Sequence, residues 1–218
     1  MIIKENGIKN IEWPHAITED TISGDLYKEI EDAFNSWEPG DKVSDKIVGY
    51  SALIFFPDVS KWNGVVNSIW NQTQDSPSYN RNAKDYLVVL ELSIQRPGKS
   101  YEYHIDVDRK QFTGVCYWQG ENGTVLKSGN NEIEIKFKHN RCLWFSNVRP
   151  EMWGEDVQNM INPIMPWHRY YNNSKDYRYT VNINYTPQKE VVKFLTEKQK
   201  QFNYYMSNKK PLWVPMAR

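Results

Sequence analysis

The hydrophobic pattern of the chain changes period near residue 86. In the segment DLYKEIEDAFNSWE, Leu26, Ile30, Ala33, Phe34 and Trp37 recur at helical spacing, and acidic residues crowd the first turns, where the positive end of a helix dipole favours them. A second helix is expected after Asp58, with Trp62, Val65, Val66 and Ile69 on its inner side. QTQDSPSYNRNAK reads as a polar loop, so the first 85 residues are expected to be helices and loops. From Tyr86 onward the period shortens to two. The predicted strands are YLVVLELSIQ (86–95), YEYHIDV (101–107), FTGVCYW (112–118), EIEIKF (132–137), RCLWFS (141–146) and YRYTVNINY (177–185), separated by Pro97-Gly98, the polar group Gln119 to Gly123, and Ser128 to Asn131. In TPQKEVVKFLTEKQKQFNYYM, Thr186 suits an N-cap and Pro187 the first helical position, which predicts a C-terminal helix.

Helices flanking a β-rich half fit an α+β domain or a β-barrel with helical buttresses. The strand YRYTVNINY separates its chemistry cleanly: Arg178, Thr180, Asn182 and Asn184 face one way, and Tyr179, Val181, Ile183 and Tyr185 the other. A half-solvated strand would turn the polar side outward. The apolar N-terminal helices need a surface to cover, and this favours a polar interior with an apolar exterior.

The length of 218 residues suits one domain with its own core. There is no repeat, low-complexity tract or dividing linker. The expected organisation is a single domain, 1–218, with a helical buttress (1–85), a β core (86–185), and a C-terminal helix and tail (186–218). Lys+Arg and Asp+Glu both number 27, so a basic surface able to replace the counterions of nucleic acid is absent and such a partner is disfavoured. No apolar run approaches the roughly 20 residues of a membrane span, and the N-terminus lacks a signal-peptide core, so the expected location is cytoplasmic. Cys116 and Cys142 fall inside predicted strands and are expected as buried, reduced thiols. Of the nine tryptophans, Trp118, Trp144, Trp153 and Trp167 share the half of the chain that carries the chemistry below; Trp118, Trp144 and Trp167 are candidates for a substrate pocket.

His104 and Asp106 stand two apart on a predicted strand and so share a face. An imidazole beside a carboxylate suits a divalent first-row metal, and one more histidine would complete a two-histidine, one-carboxylate facial triad with open coordination positions. His15 lies in the N-terminal region, leaving His139 and His168 as candidates for the third ligand.

These residues resemble the Fe(II)/2-oxoglutarate-dependent oxygenase superfamily, in particular its small prolyl-hydroxylase-like members. The family pattern is His-x-Asp, a distal His, then Arg or Lys about ten residues on. Here HID (104–106) is followed by His168 in PWHRYY, with Arg178 ten residues later and Thr180 at the place of a helping hydroxyl. The resemblance covers roughly residues 86–185. It implies a double-stranded β-helix, a jelly-roll, cupin-like barrel buttressed by helices at both ends. It also implies Fe(II) held by His104, Asp106 and His168, with the distal carboxylate of 2-oxoglutarate on Arg178 and Thr180. A guanidinium fork suits that carboxylate through two parallel charge-assisted hydrogen bonds. Where several relatives carry a co-substrate-contacting tyrosine before the Pro-Gly turn, this chain has Arg96, leaving Tyr101 and Tyr103 as candidates for that contact.

The implied reaction consumes O2 and 2-oxoglutarate and releases succinate and CO2. Asp106 points to hydroxylation, because halogenating relatives lack this carboxylate. A peptidyl side chain, an amino acid or a small metabolite is the implied substrate. About twenty residues between Ser146 and Trp167 depart from the shorter family link and suggest a lid. The alternatives are His139, which has Arg149 ten residues on, as the ligand, and a non-catalytic or non-2-oxoglutarate cupin-like metal-binding module.

Overall fold

The computed structural model describes residues 2–4, 15–40, 44–55, 60–72, 86–106, 110, 112–128, 130–147, 167–187, 196 and 198–217. The suggested lid, including Trp153, and Arg149 lie outside these residues.

The chain is mainly β, with antiparallel pairing throughout the described ladders. The strands are β1 (Ile2–Lys4), β2 (His15–Glu19), β3 (Ile47–Ile54), β4 (Tyr86–Gln95), β5 (Ser100–His104), β6 (Phe112–Gln119), β7 (Thr124–Ser128), β8 (Asn131–Ile135), β9 (Cys142–Ser146), β10 (Trp167–Tyr171), β11 (Arg178–Pro187) and β12 (Val214–Ala217). The helices are α1 (Asp25–Asn35), α2 (Asn63–Gln72) and α3 (Gln199–Asn208). One sheet has eight strands in the order β1-β2-β9-β6-β11-β4-β3-β12, and the other has four in the order β5-β10-β7-β8. Among the described residues no ladder joins the two, so the sheets do not close into a continuous barrel. The two sheets share a polar cavity.

Both N-terminal helices bury the predicted faces. Leu26, Ile30, Ala33 and Phe34 of α1, and Trp62, Val65, Val66 and Ile69 at α2, join one core cluster with Val181, Ile183 and Tyr185 of β11. The apolar face of β11 is therefore the helix-covered exterior of the large sheet. Arg178, Thr180 and Asn184 are buried on its other face. The periodicity of β11 thus settles which side of the sheet holds water-seeking chemistry.

Three expectations need correction. The N-terminal region contributes strands as well as helices. IVGYSALI (47–54) is an apolar run too short for a stable helix, and it pairs with β4 from Gly49–Gln95 to Ile54–Leu90. Two further strands, β7 and β10, come from segments read as connections. Thr186 and Pro187 do not start a helix. They extend β11, paired with Leu87 and Tyr86, and the missing N–H of Pro187 is harmless at the ladder's end; α3 begins at Gln199.

Cys116 and Cys142 are cross-strand neighbours in the β6–β9 ladder, both free and buried. Among the described residues no helix is long and apolar enough to cross a membrane.

Candidate metal and co-substrate site

β5 and β10 bring the two histidines together. His104 ends β5 and lies directly opposite His168 of β10. The ladder slips between His168 and Tyr170: Tyr170 faces Tyr101, three residues before His104, while only two residues separate it from His168. This bulge adds one residue to β5 and re-aims its side chains. It puts Tyr101 beside His104, with ring centroids 4.6 Å apart, although odd and even positions of an unbroken strand would face opposite ways. Asp106 lies just beyond the strand, not on it as the sequence pattern suggested, and its carboxylate still turns toward His104, with Oδ1 4.0 Å from Nε2. One ligand atom from each of His104, Asp106 and His168 lies within 4.8 Å of the others.

The groups behind this cluster orient it. His104 Nδ1 is 2.8 Å from the carbonyl oxygen of Glu102, so Nδ1 donates there and the Nε2 lone pair is left to face Asp106 and His168. Asp106 Oδ2 accepts from the Thr113 hydroxyl at 3.3 Å and from the Asn147 amide at 3.5 Å. Asn147 also donates to Thr113 at 2.7 Å. One oxygen of the carboxylate is thus anchored and the other is turned to the histidines. Burial pushes the Asp106 carboxyl up, but Lys110, His168, His104 and the Thr113 hydrogen bond together outweigh it and hold the group below the usual carboxylate range. It is a carboxylate at neutral pH, the form a metal requires.

A cavity of about 360 Å³ opens beside the cluster. Both sheets line it, with Ser93, Thr113, Val115 and Thr180 from one and Tyr101, Thr124 and Tyr170 from the other. Arg178 stands on its wall, 3 % exposed. Its Nε donates to the Asn122 carbonyl at 2.9 Å and its Nη2 to the Gly123 carbonyl at 3.2 Å. The guanidinium carbon sits 5.1 Å from the Tyr170 ring centre and 5.6 Å from that of Tyr117. Burial lowers its pKa, and the two phenols oppose that shift. Among the described residues no carboxylate pairs with it. Carbonyl dipoles and ring faces leave a buried positive charge without a counter-ion, which is costly unless an anion from outside supplies one.

The remaining candidates divide. Tyr101 lines the cavity, but Tyr103 does not: the bulge sends it to the opposite face, where the Arg169 guanidinium stacks 4.6 Å from its ring centre and Lys127 lies at 5.0 Å. Trp118 and Trp144 belong to the helix-covered core, not to the cavity. Trp118 packs on Tyr27 and Phe34, and Trp144 on Trp62 and Phe112. Trp167 is 40 % exposed and is also absent from the cavity wall. Each predicted pocket tryptophan is thus displaced because its strand position points to the wrong layer. His139 is remote from the cluster, bonded through Nδ1 to the Trp118 carbonyl and through Nε2 to the Tyr27 hydroxyl. Sequence reasoning missed Thr113, Asn147 and Tyr170. Only Thr113 carried a signal, as a polar residue in an apolar strand.

A second cavity, about 390 Å³, lies between α1 and the C-terminal segment, lined by Glu29, Tyr205 and Lys209 among others. It shares no residue with the first.

No protein-family model and no curated protein sequence matches the chain. Among solved structures, the chain is similar to a viral collagen prolyl hydroxylase from Paramecium Bursaria Chlorella virus-1, solved as its 2-oxoglutarate complex. The identity is 13 %, over 81 % of this chain and 97 % of that one, with a TM-score of 0.50. A prolyl-4-hydroxylase from Pseudomonas putida matches at 13 % identity over 81 % and 94 % of the two chains, with a TM-score of 0.49. At such identities the likeness speaks to the fold. The chain shares the fold of the viral collagen prolyl hydroxylase.

Proposed function

We propose that the chain is an Fe(II)- and 2-oxoglutarate-dependent dioxygenase of the hydroxylase type, acting on a peptidyl side chain, an amino acid or a small metabolite. The observation that carries this reading is the pairing, on one cavity wall, of a His/Asp/His cluster with a buried arginine that has no carboxylate partner among the described residues.

The residues fit both groups. His104, Asp106 and His168 offer two neutral nitrogens and one anionic oxygen, a donor set suited to Fe(II) that leaves coordination positions free. Arg178 and Thr180, two apart on the polar face of β11, would receive the distal carboxylate of 2-oxoglutarate, and Tyr101 the side of its chain. When bound, iron and 2-oxoglutarate supply the oxygen chemistry, coupled to release of CO2 and succinate. The protein's own part is positional. Thr113 and Asn147 hold the Asp106 carboxylate, the Glu102 carbonyl fixes the tautomer of His104, and Phe145 packs 4.8 Å from the His168 ring and keeps water from that side. Arg178 neutralises the co-substrate's far charge in a desolvated site, where a charge-assisted fork is strong.

The test is anaerobic addition of Fe(II), then 2-oxoglutarate, to the purified chain, followed by visible absorption. A weak charge-transfer band that needs both additions is expected. Bound iron with no band on adding 2-oxoglutarate would replace this reading with a cupin-like metal-binding module.

A further inference from the structure

The cavity has a second charged end that metal and co-substrate binding leave unused. Glu91 of β4 faces Asn182 across the β4–β11 ladder, whereas Arg178 of the same ladder faces Gln95. Four strand residues separate the two levels, roughly 13 Å at the usual rise per residue. At the Glu91 level the wall also carries Lys110, Lys198 and Asn182. Lys110 Nζ lies 3.1 Å from Glu91 Oε2. Lys198 has no ion-pair partner of its own among the described residues, and it acts on Glu91 only through space. Burial pushes the Glu91 carboxyl up, yet the two lysines outweigh this and hold it below its ordinary range. The end of the cavity is therefore ionised, with two ammonium groups around one carboxylate.

The charges decide what fits there. Among the described residues, Arg178, Lys110 and Lys198 against Glu91 and Asp106 give three positive and two negative groups on the wall. In the proposed reading, on which this inference rests, a divalent metal and the dianionic co-substrate cancel each other. One ammonium then remains without a counter-ion, at the end away from Arg178. A neutral prolyl ring between peptide amides offers nothing to it, and burying such a ring against three charged side chains would strip their water without compensation.

We propose that the substrate of this site is a small molecule bearing a free carboxylate, of the amino-acid type. Lys198 and Lys110 hold the carboxylate, and Asn182 and Glu91 stand ready for an adjacent donor such as an ammonium group. Val115, Ile105 and Met216, on the same wall, supply apolar cover for the carbon skeleton.

The experiment uses the full chain loaded anaerobically with Fe(II) and 2-oxoglutarate. Free amino acids and their carboxamides are titrated in pairs, together with end-capped proline peptides. The readouts are perturbation of the visible band and, after oxygen is admitted, substrate-dependent succinate. At least one free acid should act at about tenfold lower concentration than its amide, the scale expected of one charge-assisted pair. That preference should fall to about threefold or less in Lys198→Gln, and likewise in the double variant Glu91→Gln/Lys110→Gln, which removes one charge of each sign and keeps the net charge of the wall. Equal action of acid and amide, action of capped peptides alone, a panel without effect, or a preference retained in both variants would overturn the inference. No band before any substrate is added would instead sink the oxygenase reading itself, so the two failures are distinguishable.

Discussion

His104 and His168 meet as direct cross-strand partners in the β5–β10 ladder, their ring centroids 4.4 Å apart, although 64 positions separate them in the chain. The geometry of the candidate metal site is thus built into backbone pairing, with Asp106 brought in from the segment just after β5. Removal of either histidine should lower Fe(II) affinity more than the 10–100-fold, roughly, that loss of an outer partner costs, and Thr113→Val should fall within that smaller range. His139→Ala should keep the affinity while losing stability through its bonds to Tyr27 and Trp118. Anaerobic metal titration of the four variants is the check. Equal loss in His139→Ala and His168→Ala would move the third ligand.

Arg178 should control the co-substrate and not the metal. Arg178→Gln removes a buried charge held by carbonyls and ring faces, so half-saturation by 2-oxoglutarate should rise about 10–100-fold, on the scale of a charge-assisted bond worth ~1.5–3 kcal/mol. Fe(II) affinity should stay near that of the parent. Arg178→Lys should recover only part of the loss, because an ammonium cannot reproduce the two-pronged contact. Titrating the visible band with 2-oxoglutarate at saturating metal separates the two effects.

Close packing behind the site predicts a stability effect at Gly114. A Cβ there would lie 2.5 Å from the Trp144 ring and 2.9 Å from Cys142 Sγ. Both residues are fully buried. Gly114→Ala should destabilise the fold by about 1–3 kcal/mol through overpacking. The denaturation midpoint would report it, and an unchanged midpoint would mean that Trp144 swings aside.

Glu19 should set part of the acid limb of stability. Burial pushes its carboxyl up, but the hydrogen bonds and charges of Lys138 and Arg141, 2.6 Å and 2.8 Å away, carry it below its ordinary value. A carboxylate with a depressed folded-state pKa contributes stability that is present above its unfolded value and lost as pH falls through the folded one. Glu19→Gln should therefore lower stability at pH 7 by about 1–3 kcal/mol, and the gap to the parent should close below about pH 4. Urea melts across pH 3–7 measure this; a constant gap would exclude the linkage.

The chain's linear pattern was enough to mark α1 and α2, their buried faces, and β4, β6, β9 and β11. In the helices burial follows the period of 3.6, whereas β4, β6 and β9 are nearly continuous buried runs bounded by turn formers and β11 alternates polar and apolar residues. It was also enough to single out His104, Asp106, His168 and Arg178, which the fold brings to one cavity, because charged and metal-ligating residue types in regular spacing are visible without a fold. Short segments whose pairing partners lie far along the chain were not legible. β3 shows no strict alternation, β7 and β10 are short, and their ladders, not their own propensities, make them strands. Only the tertiary structure decided which tyrosine enters the cavity. One extra residue in β5 inverts the alternation after Tyr101 and turns Tyr103 away. In the same way, only layer packing sent Trp118 and Trp144 to the helix-covered core, since an aromatic residue in a strand reads alike on either face of a sheet.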